Sequence, residues 1–258
     1  MRGEGIQIGK IYGIPIFLHT SWFVIFGLVA FWFYSDFDAL HLNLPMPRLV
    51  GLGIMTSLLF FGSLVFHEVS HSLIARHYKI PVLSITLYVF GGVSRLTRDP
   101  ASAGEEFNIA VAGPLSSMLL AGGFWLVYNR AGSNLVLSTL AGSLAWINFI
   151  LALFNLIPGF PLDGGRIFRA VVWGITKDSS RATRITARSG QIVASAMIAA
   201  GAFDALYGYK GQSDPIQGIW LALIGWFILT AARQTRAQAD ARGALEHARS
   251  TRSCRWPG

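Results

Sequence analysis

Residues 49–75 read LVGLGIMTSLLFFGSLVFHEVSHSLIA, and this stretch decides the fold class. Its only formally charged side chain is Glu68. As a helix it is long enough to cross a bilayer, whose hydrocarbon core takes about 20 residues. If the membrane boundary lies near Arg76, His67 sits nine residues inside it, roughly 13 Å deep at 1.5 Å per residue. Two histidines and a glutamate at that depth are costly to bury, and such groups are functional by default.

Working outward, the chain repeats this pattern. Apolar residues make up 53% of its 258 residues and charged residues 13%. The charged share is about half that of a soluble globular chain. Apolar runs at about 16–34, 49–75, 107–128, 135–158, 191–207 and 216–232 predict an all-α membrane protein with six transmembrane helices. The fifth run is weaker and carries Asp204. Residues 81–98 do not fit a span. Val82, Ile85, Leu87, Val89 and Val93 are strand formers, interrupted by Gly91-Gly92. They predict a small β-hairpin or sheet insertion on the cytoplasmic side, covered by protein because open strand edges cannot face lipid. Residues 1–232 form the membrane domain in this reading. Residues 233–258 are a basic cytoplasmic tail.

The net charge is +8, yet the basic residues flank apolar spans instead of forming a stripe interleaved with aromatics. A lipid bilayer is therefore the expected partner of these charges, and nucleic acid is not. Of the 21 Lys and Arg residues, all but Arg48, Arg130 and Lys210 fall in segments 1–15, 76–106, 159–190 and 233–258. That bias predicts a multi-pass protein of the cytoplasmic membrane with both termini inside. Met1–Lys10 lacks the pattern of a cleaved signal peptide. The single cysteine, Cys254, excludes a disulfide framework and a Cys-rich zinc site, so any metal must be held by His and carboxylates.

His67 and His71 are four residues apart and share one helix face, where both imidazoles can reach one metal. Glu68 is about 100° further round, suited to a general base that deprotonates an activated water. A third ligand is needed, since catalytic zinc usually keeps three. His77 has the spacing of an extended zinc motif, but Ile74 stands where that motif needs a helix-breaking Gly. His77 then lies about 240° round from His71 and points away. Asp163, before Gly164-Gly165, reads either as a turn or N-cap residue or as the third ligand.

Two motifs together make a specific resemblance. His67-Glu-Val-Ser-His71 in a membrane helix, followed downstream by Asn155…Pro158-Gly-Phe-Pro-Leu-Asp163-Gly-Gly-Arg166, resembles the site-2 protease family of intramembrane metalloproteases (peptidase family M50). Phe90-Gly91-Gly92-Val93 resembles that family's hairpin segment. Ala112-Gly113-Pro114-Leu115-Ser116 resembles its third-span signature, with Ser117 where many relatives have Asn. The likeness runs from about Gly13 to Ala232. It implies one zinc ion held by His67, His71 and Asp163, with Glu68 as the base. It also implies hydrolysis of peptide bonds within or near transmembrane segments of a protein substrate, such as an anti-sigma factor or another membrane-anchored regulator. Many six-span relatives carry a pair of CBS modules after the last span. This chain stops at Gly258, either as a short form or as a shortened chain.

Other positions admit two readings each. Asn155 either donates a hydrogen bond to the oxyanion of the tetrahedral intermediate or caps and bridges helices. His19 either tunes or gates the site or is a hydrogen-bonded interfacial residue. Gly91-Gly92 either presents backbone to an unwound substrate as an added strand or is a simple hairpin turn. The rival functions are a metal transporter, which places ligands along a path on several spans, and a catalytically inactive membrane scaffold.

Overall fold

A computed structural model describes residues 5–42, 44–89, 91–208 and 215–253. Four strands and seven helices follow in the order β1 (Ile6–Ile11), β2 (Ile14–Leu18), α1 (Thr20–Ala39), α2 (Met46–His77), β3 (Val82–Tyr88), β4 (Gly91–Leu96), α3 (Ala103–Arg130), α4 (Leu135–Asn155), α5 (Asp163–Thr176), α6 (Ser179–Tyr207) and α7 (Pro215–Ser253). Among the described residues, six helices are long and apolar enough to cross a membrane: α1, α2, α3, α4, α6 and the Pro215–Gln238 part of α7. The protein is a multi-pass membrane protein, mainly helical, with a small sheet.

The chain divides into two compact units. The first comprises residues 1–101 and 108–154. Its four-stranded sheet has the order β1-β2-β3-β4. β1 and β2 form an antiparallel hairpin, closed by Tyr12 and Gly13 at φ 49° and 79°. Two positive φ values suit the twist of a two-residue hairpin turn. β2 then pairs parallel with β3 through Ile16–Ile85, Phe17–Thr86 and Leu18–Leu87. β3 and β4 form the hairpin expected from residues 81–98. Alternation along β2 buries Ile14, Ile16 and Leu18 on one face. Ile14 and Ile85 pack with Val69 of α2, while Leu18 and Leu87 join Trp22, Phe61 and Leu64. The sheet thus packs on the helix that carries both histidines.

The second unit comprises residues 102–107 and 155–258, and contains α5, α6, α7 and the first turn of α3. α6 and α7 meet through glycine and alanine. A side chain at Gly201 would strike the carbonyl of Gly218 and the backbone of Ala222. Small residues of this kind let spanning helices approach closely.

The structure departs from the sequence expectation in three places. Residues 16–18, expected in the first span, are strand, and the helix starts at Thr20. The sheet has two strands, β1 and β2, beyond the expected hairpin. Residues 163–176 form a short amphipathic helix where only a break was read. Phe90 of the hairpin motif, Lys210 and residues 254–258 of the basic tail lie outside the described residues.

Candidate metal centre

α2 positions the central pair. His67 and His71 are 3% and 7% exposed, and their Nε2 atoms lie 3.2 Å apart. Each ring is held from behind by α3. His71 Nδ1 donates to the carbonyl oxygen of Ile109 at 2.6 Å. A carbonyl only accepts, so the proton of the neutral ring is on Nδ1 and Nε2 presents a lone pair. His67 Nδ1 is 2.9 Å from the hydroxyl of the fully buried Ser117. Were the Ser117 hydroxyl to accept, His67 would also present its Nε2 lone pair.

Gly113 of α3 faces them. A Cβ there would land on the Nε2 atoms of both His71 and His67, so only glycine leaves that space open. Pro114 follows within the helix and, lacking an N–H, donates nothing to the preceding turn. Two buried imidazoles with aligned Nε2 atoms, Nδ1 groups fixed by the protein and a glycine opposite make a donor set that fits a divalent cation with a preference for nitrogen.

Glu68 is half-buried beside this pair. Its Oε2 accepts a hydrogen bond from Ser94 Oγ on β4 at 2.9 Å. Ser94 Oγ is in turn 3.3 Å from Ser72 Oγ, one helical turn beyond Glu68. Gly92 sits in register with Leu87, and a Cβ on it would collide with Cγ of Glu68. The β3–β4 hairpin therefore fixes the carboxylate from one side while keeping clear of it.

Asp163 is the first residue of α5, in the second unit, and is half-buried. Leu162 occupies the N-cap position without a side-chain cap bond, so Asp163 is within the first turn. Among the described residues, His67, His71 and Asp163 each offer one atom able to ligate a metal ion. His77 is outside that group: it ends α2, is exposed and lies against the Tyr78 ring. Asn155 is the last residue of α4 and half-buried. His19 caps α1, its Nδ1 accepting from the Ser21 amide at 3.2 Å.

Sequence reasoning missed the groups that aim the histidines. Gly113 and Ser117 are four residues apart and so share a face of α3, a signal that was available. The Ile109 carbonyl and Ser94 carry no such signal.

The model of Peptidase family M50 matches residues 55–136 and 126–198. The chain is 37% identical to sll0528 of Synechocystis sp. over 248 residues, covering 94% of this chain and 62% of that protein. It is 37% identical to Rip3 of Mycobacterium tuberculosis over 243 residues, covering 90% and 58%. Both carry provisional zinc-metalloprotease names. The solved Site-2 Protease from Methanocaldococcus jannaschii superposes with a TM-score of 0.61 at 28% identity, covering 90% of this chain and 94% of that one. The chain spans about six-tenths of the length of the curated relatives named here.

Proposed function

Because the chain belongs to peptidase family M50, the family of the site-2 proteases, we propose that it is an intramembrane zinc metalloprotease. Its substrates are membrane-anchored proteins, cut within or near their transmembrane segments. The observation that carries this reading is the buried pair of Nε2 atoms 3.2 Å apart, with a carboxylate on the adjacent residue held by a serine.

His67, His71 and Asp163 would hold the zinc. When bound, the ion would supply Lewis-acid polarisation of a carbonyl and lower the pKa of a water towards neutrality. Glu68 acts as general base on the attacking water and passes that proton to the leaving amine. The Ser94 hydroxyl orients the carboxylate for both transfers. Asn155 donates a hydrogen bond to the oxyanion of the tetrahedral intermediate. A substrate helix hides its peptide bonds in its own hydrogen bonds, so it must unwind before reaching the site. Gly91-Gly92 on β4, the edge strand beside Glu68, offers backbone to such an extended segment. The distribution of Lys and Arg supports a protein of the cytoplasmic membrane with both termini on the cytoplasmic side.

The test is cleavage of a membrane-spanning reporter by purified protein, compared with Glu68→Gln. The variant should retain one zinc per chain and lose cleavage by at least about 100-fold, the lower end of what acid–base catalysis contributes. Chelation should silence the wild type and added zinc restore it. Equal cleavage by both forms would rule out Glu68 as base. Zinc flux into vesicles without any cleavage would favour transport.

A further inference from the structure

Glu106 takes no part in the proposed hydrolysis, yet it is only 1% exposed. It lies in the first turn of α3, within the second unit. Its Oε1 accepts from Arg169 Nη1 on α5 at 2.6 Å. Arg169 Nε donates to Thr183 Oγ1 on α6 at 2.8 Å, and its guanidinium carbon is 5.5 Å from the centre of the Trp173 ring. Three helices thus converge on one guanidinium. The second carboxylate oxygen of Glu106 is buried without a hydrogen-bond partner. A half-buried pair whose carboxylate is left partly unsatisfied is a poor source of stability, because desolvation offsets the attraction. What a planar guanidinium bonded on two edges does supply is a fixed orientation.

That orientation bears on Asp163. Arg169 follows it by six residues on the same helix, about 9 Å along the axis and about 240° around. Gly164 and Gly165 press the first turn of α5 against the backbone of Leu156 and Gly159. They set how close the turn lies, but have no side chains to resist rotation. Turning α5 by about 20° would swing a carboxylate ~6 Å from the axis through about 2 Å, as long as a zinc–oxygen bond. The other end of the pair is on α3, and beyond Glu106 the same continuous helix carries the Ile109 carbonyl and the Ser117 hydroxyl that aim His71 and His67.

We propose that Glu106 and Arg169 are positioning residues for the metal centre: their ion pair sets the rotation of α5, and with it the aim of Asp163. This rests on the zinc-site reading above. The experiment uses the full chain in detergent, with zinc affinity measured by chelator competition and cobalt substitution followed by visible absorption. Glu106→Gln/Arg169→Met removes both charges together, so that the buried carboxylate is not left without its partner. It should keep wild-type helix content, weaken zinc binding about 10–100-fold, as loss of groups supporting metal ligands does, and alter the cobalt spectrum. Arg169→Lys, which keeps the charge but not the planar fork, should also weaken zinc binding and alter the spectrum.

Wild-type zinc affinity and an unchanged cobalt spectrum in the folded double variant would overturn the proposal. Should that variant not fold, Thr183→Val, which removes only the hydroxyl bonded to Arg169 Nε, carries the test. A several-fold loss of zinc affinity is expected there, and no loss would overturn the proposal equally. A wild-type protein that binds no zinc, or binds it undiminished after Asp163→Ala, sinks the zinc-site reading and this inference together. Normal wild-type binding with unaffected pair variants sinks this inference alone.

Discussion

His67 and His71 depend on two residues of another helix, one for what it offers and one for what it lacks. Ser117 holds the Nδ1 side of His67, and Gly113 leaves the space before both Nε2 atoms. Ser117→Ala should therefore weaken zinc binding by about 10–100-fold while the chain still folds, since fixing the ring's orientation is an outer-shell contribution. Gly113→Ala should abolish stoichiometric zinc, because its Cβ lands on both Nε2 atoms. Atomic spectroscopy on the purified variants measures both, and full zinc occupancy in Gly113→Ala would refute the role given to the glycine. At this scale the pair and its glutamate were legible, because a helix converts a spacing of four into a shared face. Ser94 was not, because it reaches Glu68 only through the fold of a hairpin.

Among the elements, the sheet was half legible. Residues 81–98 read as a hairpin from their β-branched content and paired glycines, and β3 and β4 form there. β2 did not, because Ile14, Ile16 and Leu18 run directly into the apolar sequence of α1 and hydropathy alone marks no border. Its border comes from a parallel pairing with β3 and from the His19 cap. α5 escaped notice because it is short and opens on Asp163-Gly-Gly after two prolines. The sheet matters to the site because Ile85, fully buried, packs with Ile14 on Val69, two residues from both His67 and His71. Ile85→Ala should cost about 2–5 kcal/mol, the usual range for truncating a buried Ile. Thermal unfolding in detergent tests this, and an unchanged midpoint would show that the sheet does not brace α2.

For the whole molecule, hydropathy and charge carry the membrane reading. Six apolar runs correspond to six helices able to span, and the asymmetry of Lys and Arg predicts where the termini lie. Reporters fused to either end should both be active in the cytoplasm and both be shielded from protease added to intact cells. Exposure of either end outside would invert the proposed orientation and move the site's access to the opposite face.

The chain's sequence by itself determined that this is a membrane protein with a His-Glu-His motif on a spanning helix, and it pointed to Asp163 over His77 as the proposed third ligand. Those conclusions follow from local quantities: the length of an apolar run, the 100° step of a helix, the missing glycine at Ile74. The tertiary structure alone decided what aims and clears those groups. Ser117 and the Ile109 carbonyl hold the rings, Gly113 and Gly92 stand aside, and Ser94 holds the Glu68 carboxylate. Such contacts join residues far apart in the chain, and they exist only once helices and strands have packed to within a hydrogen bond of one another.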